Sequence, residues 1–184
     1  AHELIMGYSV LKGMRHASTA VLTDWAETFN GDVGIALPDT FGIDAFLQDF
    51  DGSLARIFDG VRHDSGCPHQ FMWKIVNHYD EMGIDPRSKC IVFSDSLTAE
   101  KANDLRKAAF SVQHSFGAGI KCSSGIGTHL TNDIKGHKAL NMVLKLRTCN
   151  GIPVVKLPDT IGKQTGDADA LRVANWVFHG TPLD

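Results

Sequence analysis

No two cysteines of this chain are spaced to clamp a metal ion or to run dithiol chemistry. The four present, Cys67, Cys90, Cys122 and Cys149, lie far apart with no C-x-x-C pair, which argues against a zinc site or redox motif and fits reduced thiols in a cytoplasmic enzyme. Neither H-E-x-x-H nor another paired histidine spacing occurs, so no metal-ligand set is expected from the protein alone. A G-x-S-x-G elbow is also missing, and with it the local signature of a serine hydrolase. No apolar run is long enough to cross a membrane, and no signal-peptide pattern is present. Positive charge is not in excess: 18 Lys and Arg against 21 Asp and Glu leave a net charge of −3, which provides no general basic field for a nucleic-acid backbone. Low-complexity tracts, long linkers and internal repeats are lacking as well.

What remains is an ordinary globular composition. The 184 residues suit one domain, and with 43% hydrophobic and 21% charged residues a core can be buried and disorder is not expected. The chain begins Ala1-His2-Glu3 inside an expected helix, so a portion of a longer protein is expected. Over the first thirty residues Leu4, Tyr8, Leu11, Arg15, Ala20 and Trp25 give a loose helical spacing broken by Gly7 and Gly13. A buried strand is expected over Val33–Leu37, a short helix over Ile43–Leu47, and a strand over Ile57–Val61. Pro68 suits the first turn of a helix over Phe71–Met82 closed by Gly83. The clearest strand is Lys89–Phe93, with a helix from Lys101 to about Phe110. Asn141–Arg147 and Pro153–Leu157 read as strands joined at Asn150-Gly151, and Ala168–Phe178 as a last amphipathic helix. Met6, Met14, Met72 and Met82, with Trp25, Phe46, Phe50, Trp73 and Trp176, read as core or interface packing. Alternating strands and helices predict an α/β domain with mostly parallel strands and an antiparallel appendage.

The position of the polar residues carries the functional signal. Four apolar runs each end in a small or acidic cluster: Asp39-Thr40, Arg62-His63-Asp64-Ser65-Gly66, Ser94-Asp95-Ser96, and Ser123-Ser124-Gly125-Ile126-Gly127-Thr128. In parallel α/β folds the loops after the strands converge on one rim, where ligands bind. Carboxylates there can hold ribose hydroxyls or Mg²⁺, and closely spaced glycines free backbone N–H groups for a phosphate. The combination suits a phosphorylated sugar. Each piece has a plainer reading too: Asp39-Thr40 and Ser94-Asp95 as helix caps, Arg62 with Asp64 as a structural ion pair, Gly125 and Gly127 as a tight turn, and His2 as a solvated terminal histidine.

Taken in order, Ala1-His2-Glu3, Gly34–Thr40, Asp44-Ala45-Phe46, Val61–Gly66, Phe93-Ser94-Asp95, Ser124–Asp133 and Val155-Lys156-Leu157 resemble nicotinate phosphoribosyltransferase over nearly the whole chain. The resemblance covers only the C-terminal half of that type II phosphoribosyltransferase family. It implies a C-terminal portion of an irregular α/β barrel, with residues 1–184 as a single barrel-type domain lacking the N-terminal domain, in an enzyme assembled as a homodimer. The implied reaction moves phosphoribose from phosphoribosyl pyrophosphate to nicotinate, yielding nicotinate mononucleotide and pyrophosphate in NAD salvage, with Mg²⁺ and with ATP as co-substrate. By the same resemblance His2 is the phosphorylated histidine and Asp39 the acid on its other ring nitrogen. Arg62 and Asp64 lie against the pyridine ring and the ribose, Asp95 holds ribose hydroxyls with Ser94, Ser65 and Gly66 around the substrate, and Gly125, Gly127 and Thr128 cradle the 5-phosphate.

The chain departs from the family pattern in three places. Cys67 stands where an acid is common, Ser124 where phenylalanine is common, and the stretch Phe110–Gly119 is longer than usual. The alternatives at this stage are a nicotinamide phosphoribosyltransferase and a non-catalytic phosphate-binding fragment.

Overall fold

The computed structural model describes residues 2–132, 134–140, 142–160 and 162–180. Asp133, the last residue of the glycine-rich motif, and Asn141, the expected start of a strand, lie outside the described residues. The helices are α1 (His2–Leu11), α2 (Ala17–Thr28), α3 (Ile43–Asp49), α4 (Gly52–Ile57), α5 (Pro68–Glu81), α6 (Ala99–Ser111), α7 (Thr128–Thr131) and α8 (Ala168–His179). The strands are β1 (Ile35–Ala36), β2 (Gly60–His63), β3 (Cys90–Phe93), β4 (Gln113–His114), β5 (Gly117–Ala118), β6 (Lys121–Ser124), β7 (Thr148–Cys149) and β8 (Ile152–Pro153). They fall into two compact units, residues 34–36 with 59–143, and residues 1–33 with 37–58 and 144–184.

The first unit is built on a parallel sheet of order β1-β2-β3-β6, in which Gly60 pairs with Ile35 and Cys90, and Cys90 with Lys121. Val61, Ile91 and Phe93 of the central strands are fully buried, as a sheet covered by crossover helices requires. Gly60 sits where two backbones nearly touch: a Cβ there would lie 1.8 Å from the carbonyl oxygen of Cys90. Helix α5 starts on Pro68 and buries Phe71, Met72, Ile75, Val76 and Tyr79, an i, i+4 and i+8 spacing that forms one apolar stripe. Helix α6 buries Leu105 and Ala109, and is capped by Thr98, whose side chain accepts from the Lys101 N–H. The long stretch before Ile120 is the small β4–β5 hairpin. Its turn is held by the Asp80 carboxylate, which accepts from the N–H of Ser115 at 3.1 Å and from the Ser115 hydroxyl.

The second unit is helical, with the β7–β8 hairpin as its regular sheet. Ile5, Ala17, Val21, Phe41, Ala45, Val155, Leu157 and Ala174 form one buried cluster, and Phe41 stacks on Phe178 with ring centroids 4.5 Å apart. Asp51 caps α4 and Asp167 caps α8, each carboxylate accepting two backbone N–H groups. The N-cap of α3 is Gly42, and both oxygens of Asp159 take the Ile43 N–H at 3.0 and 3.2 Å.

Parallel strands with antiparallel appendages are as expected; several local expectations are corrected. The stretch expected as a strand from Ile57 is helix to Ile57, because Asp51 nucleates α4, and β2 begins only at Gly60. The hairpin turn at Asn150-Gly151 is present, but its strands are two residues each and residues 142–147 form none. Met142, Val143 and Leu144 are 70, 67 and 80% exposed, and an apolar run without a partner strand has nothing to pair with. In α1 the buried face is Ile5, Met6 and Ser9, while Leu4 and Leu11 are exposed, so the expected stripe is one position out of phase. Phe46, Phe50, Met6 and Met72 are core as expected, whereas Trp73 and Trp176 are surface residues. No helix among the described residues is long and apolar enough to cross a membrane.

Candidate active site

Parallel pairing puts the C-terminal ends of β2, β3 and β6 side by side, with His63 opposite Phe93 and Phe93 opposite Ser124. The ladder runs one residue past each end: the Ser94 N–H donates to the His63 carbonyl at 3.0 Å, and the Gly125 N–H to the Phe93 carbonyl at 2.8 Å. Three of the four polar clusters read from the sequence therefore meet at one edge, those of Asp64, Asp95 and Gly125. The fourth, Asp39-Thr40, follows β1 but belongs to the helical unit.

Arg62 lies on β2 itself, not in the loop after it. Its side chain is exposed beside the sheet end, where Nη2 donates to Asp64 Oδ1 at 2.7 Å and Nε to Ser94 Oγ at 2.7 Å. The Ser94 hydroxyl in turn donates to the His63 carbonyl at 2.9 Å. His63 points to the opposite face, buried against Phe71 and Phe93 with ring centroids 5.0 and 6.0 Å away. Ser65 is buried and Gly66 exposed, the latter at φ 82, a left-handed turn that favours glycine.

Two adjoining clefts open on this edge. One, of 520 Å³, is lined by Ser94, Ser96, Gly125, Gly127, Thr128 and His129, with Lys138 at its rim. The other, of 370 Å³, is lined by His63, Gly66, Asp95, Ser96, Lys101 and Asp104. Ser96 lies between the two in the left-handed region at φ 50, unusual for a residue with a side chain, and its hydroxyl donates to Asp95 Oδ1 at 3.1 Å. Positive φ does not account for these glycines, since neither Gly125 nor Gly127 has it; Gly127 stands at φ −89, ψ −110 as the N-cap of α7. Nothing lies within 4 Å of where a Cβ of Gly127 would stand; the space belongs to the cleft, at the first turn of α7, whose leading N–H groups lack helical acceptors. Both cap readings fail as well, since the caps of the following helices are Gly42 and Thr98.

In the helical unit His2 is buried at the start of α1, and its Nδ1 lies 2.9 Å from Thr40 Oγ1. A ring nitrogen of His2 and a carboxylate oxygen of Asp39 lie within 4.8 Å of each other. Asp39 is ion-paired with Lys156, Oδ2 to Nζ at 3.0 Å, and both side chains are more than nine-tenths buried. Thr40 also accepts the Leu157 N–H on its carbonyl at 2.8 Å, which ties this loop to the core.

The sequence reading gave no role to Lys156, His129, Lys101 or Lys138. Ser96 carried a signal, standing next to Asp95. The Lys156 partnership with Asp39 spans more than a hundred residues and has no local mark. The departures from the family pattern are placed plainly: Cys67 is the exposed N-cap of α5 and makes no side-chain cap bond, and Ser124 is the exposed last residue of β6.

Residues 1–181 match the model of the nicotinate phosphoribosyltransferase (NAPRTase) family. A nicotinate phosphoribosyltransferase of Methanosarcina mazei is 50% identical over 186 aligned positions, covering 100% of this chain and 44% of the relative. One from Vibrio parahaemolyticus is 44% identical over 160, covering 86% of this chain and 37% of its own length. The crystal structure of the Vibrio cholerae enzyme superposes with a TM-score of 0.91 at 39% identity, over all of this chain and 44% of that one. The Porphyromonas gingivalis structure gives 0.86 at 37%, over 95% of this chain and 45% of its own. The chain thus spans less than half the length of the relatives it matches.

Proposed function

The chain belongs to the nicotinate phosphoribosyltransferase family, and we propose that the protein transfers phosphoribose from phosphoribosyl pyrophosphate to nicotinate, giving nicotinate mononucleotide and pyrophosphate. The observation that carries this reading is the meeting of Asp64, Asp95 and the glycine-lined cleft at the ends of β2, β3 and β6. Nicotinamide as the base is not favoured, since the matching family and relatives are named for nicotinate.

In this reaction the ring nitrogen of the base attacks the anomeric carbon of ribose and pyrophosphate leaves, so no general base is required. The barrier falls through positioning and charge stabilisation. Gly127 and Thr128 offer backbone N–H groups to the 5-phosphate beside Gly125, whose own N–H goes to the Phe93 carbonyl, and Asp95 holds ribose hydroxyls beside Ser94, Ser65 and Gly66. Asp64 places its carboxylate near the sugar, where positive charge develops, and Arg62 lies against the pyridine ring. Mg²⁺ prefers a few carboxylate oxygens together with substrate phosphates. Asp64 and Asp95 supply donors of that kind, and the ion, when bound, neutralises the pyrophosphate. ATP is the co-substrate, and His2 is the phosphoryl acceptor. Thr40 steadies its ring through Nδ1, while Asp39 stands beside the ring as the acid and Lys156 balances the acid's charge. A negative charge gained at His2 alters affinity for substrate or product. The working protein is a cytoplasmic homodimer in this reading.

The test is formation of nicotinate mononucleotide from nicotinate, phosphoribosyl pyrophosphate, Mg²⁺ and ATP, with nicotinamide run in parallel. Product from nicotinate, falling by about 100-fold in Asp95→Ala, is the expected result. Product from nicotinamide alone, or none with either base, overturns the reading in favour of the amide enzyme or of a non-catalytic phosphate-binding protein.

A further inference from the structure

A guanidinium offers two hydrogen-bonding edges: a lateral one formed by Nε and Nη2, and an end one formed by Nη1 and the second N–H of Nη2. In Arg62 both nitrogens of the lateral edge are engaged, Nε donating to Ser94 Oγ at 2.7 Å and Nη2 to Asp64 Oδ1 at 2.7 Å. Among the described residues no bond engages Nη1. Ser94 is held in turn, because its hydroxyl donates to the His63 carbonyl at 2.9 Å and its backbone N–H donates to the same carbonyl at 3.0 Å. Its hydroxyl therefore has one orientation, with a lone pair aimed at Nε. That carbonyl lies at the end of β2, so the sheet ladder itself sets where the guanidinium plane sits. Arg62 is 44% exposed, so the pair with Asp64 adds little stability; its consequence is geometric.

We propose that Ser94 is a positioning residue that, with Asp64, clamps the lateral edge of Arg62 and so reserves the end edge for a planar carboxylate on the ligand. A carboxylate accepts both end-edge N–H groups at once, whereas a carboxamide places an NH₂ group against one of them. The clamp thereby favours the acid over the amide form of an aromatic base. The choice of ligand rests on the function proposed above; the clamp itself rests only on the geometry.

The experiment has two readouts on the protein and its Ser94→Ala and Ser94→Thr variants. The first is the Arg62 Nε–H resonance in a ¹⁵N spectrum, identified by its loss in Arg62→Lys. It is expected to be sharp and slow to exchange in the parent, broadened or lost in Ser94→Ala, and restored in Ser94→Thr, which keeps the hydroxyl. The second is kinetic. Ser94→Ala is expected to raise the KM for nicotinate about tenfold, well beyond any rise in the KM for phosphoribosyl pyrophosphate, and to narrow the preference for nicotinate over nicotinamide. An Arg62 resonance indifferent to Ser94→Ala overturns the clamp, and so does an equal rise in both KM values. A parent protein that forms no nucleotide defeats the functional reading, while the resonance still decides the clamp.

Discussion

In the sheet unit β2, α5, β3, α6 and β6 follow one another within the single stretch 59–143, with the two-residue β1 brought in from residues 35–36. In the helical unit Ile5 shares a cluster with Val155 and Ala174, and Asp39 finds its counter-ion in Lys156. The first is assembled from neighbours in sequence and the second from distant segments. A unit made of neighbours displays its chemistry as motifs, because each loop that carries a ligand group directly follows the strand that positions it. A unit made of distant segments hides its chemistry in partnerships that no local pattern marks.

The sharpest way to break this contrast is in the helical unit, at its buried ion pair. Lys156→Met leaves the Asp39 carboxylate buried without its counter-ion, and should lower stability by about 3–5 kcal/mol, read as the shift of a urea midpoint. A loss near zero would mean that the long-range pair is not what holds the Asp39-Thr40 loop. In the sheet unit the corresponding weak point is backbone, not charge. Gly60→Ala drives a methyl group to within 1.8 Å of the Cys90 carbonyl, and β2 or β3 must move. A loss toward the upper end of about 1–3 kcal/mol is expected, with amide exchange faster along both strands. The smallest effect concerns the β4–β5 hairpin. Hydrogen bonds from the Ser115 hydroxyl and N–H hold the Asp80 carboxyl below its usual range. A depressed native value contributes stability above the ordinary carboxylate pKa that is lost as pH falls through the native value. Acidification below about pH 4 should therefore lower the protection of the Ser115–Ala118 amides relative to their intrinsic exchange rate at that pH, and Asp80→Asn should show the lowered protection already at neutral pH. Protection that ignores both pH and the variant would remove Asp80 from the account.

The same contrast explains what could be read in advance. Lys89–Phe93, Pro68 at a helix start and the Asn150-Gly151 turn carry strong local signals, and all three proved real within a residue or so. The helix of the Gly52–Ile57 stretch was concealed because Asp51 acts as a cap through its side chain, while the apolar residues that follow resemble a strand. The phase of α1 was misread because Ile5 and Met6 are drawn inward by partners far along the chain, against a local spacing that favours Leu4 and Leu11. At the site, Asp64, Asp95, Gly125 and Gly127 were legible from their places after strands. That Ser94 orients Arg62 was not, since it depends on which strand lies beside which.

The most direct test of the central claim, that the C-terminal ends of β2, β3 and β6 form the phosphoribosyl site, is to map amide shifts as Mg²⁺ and phosphoribosyl pyrophosphate are added. Shifts concentrated at residues 64–66, 94–97 and 125–129, and abolished in Asp95→Ala, are predicted. Shifts centred instead on the 390 Å³ hollow at the start of β6, where Arg87, Arg106 and Lys121 gather, or no shifts at all, would contradict it.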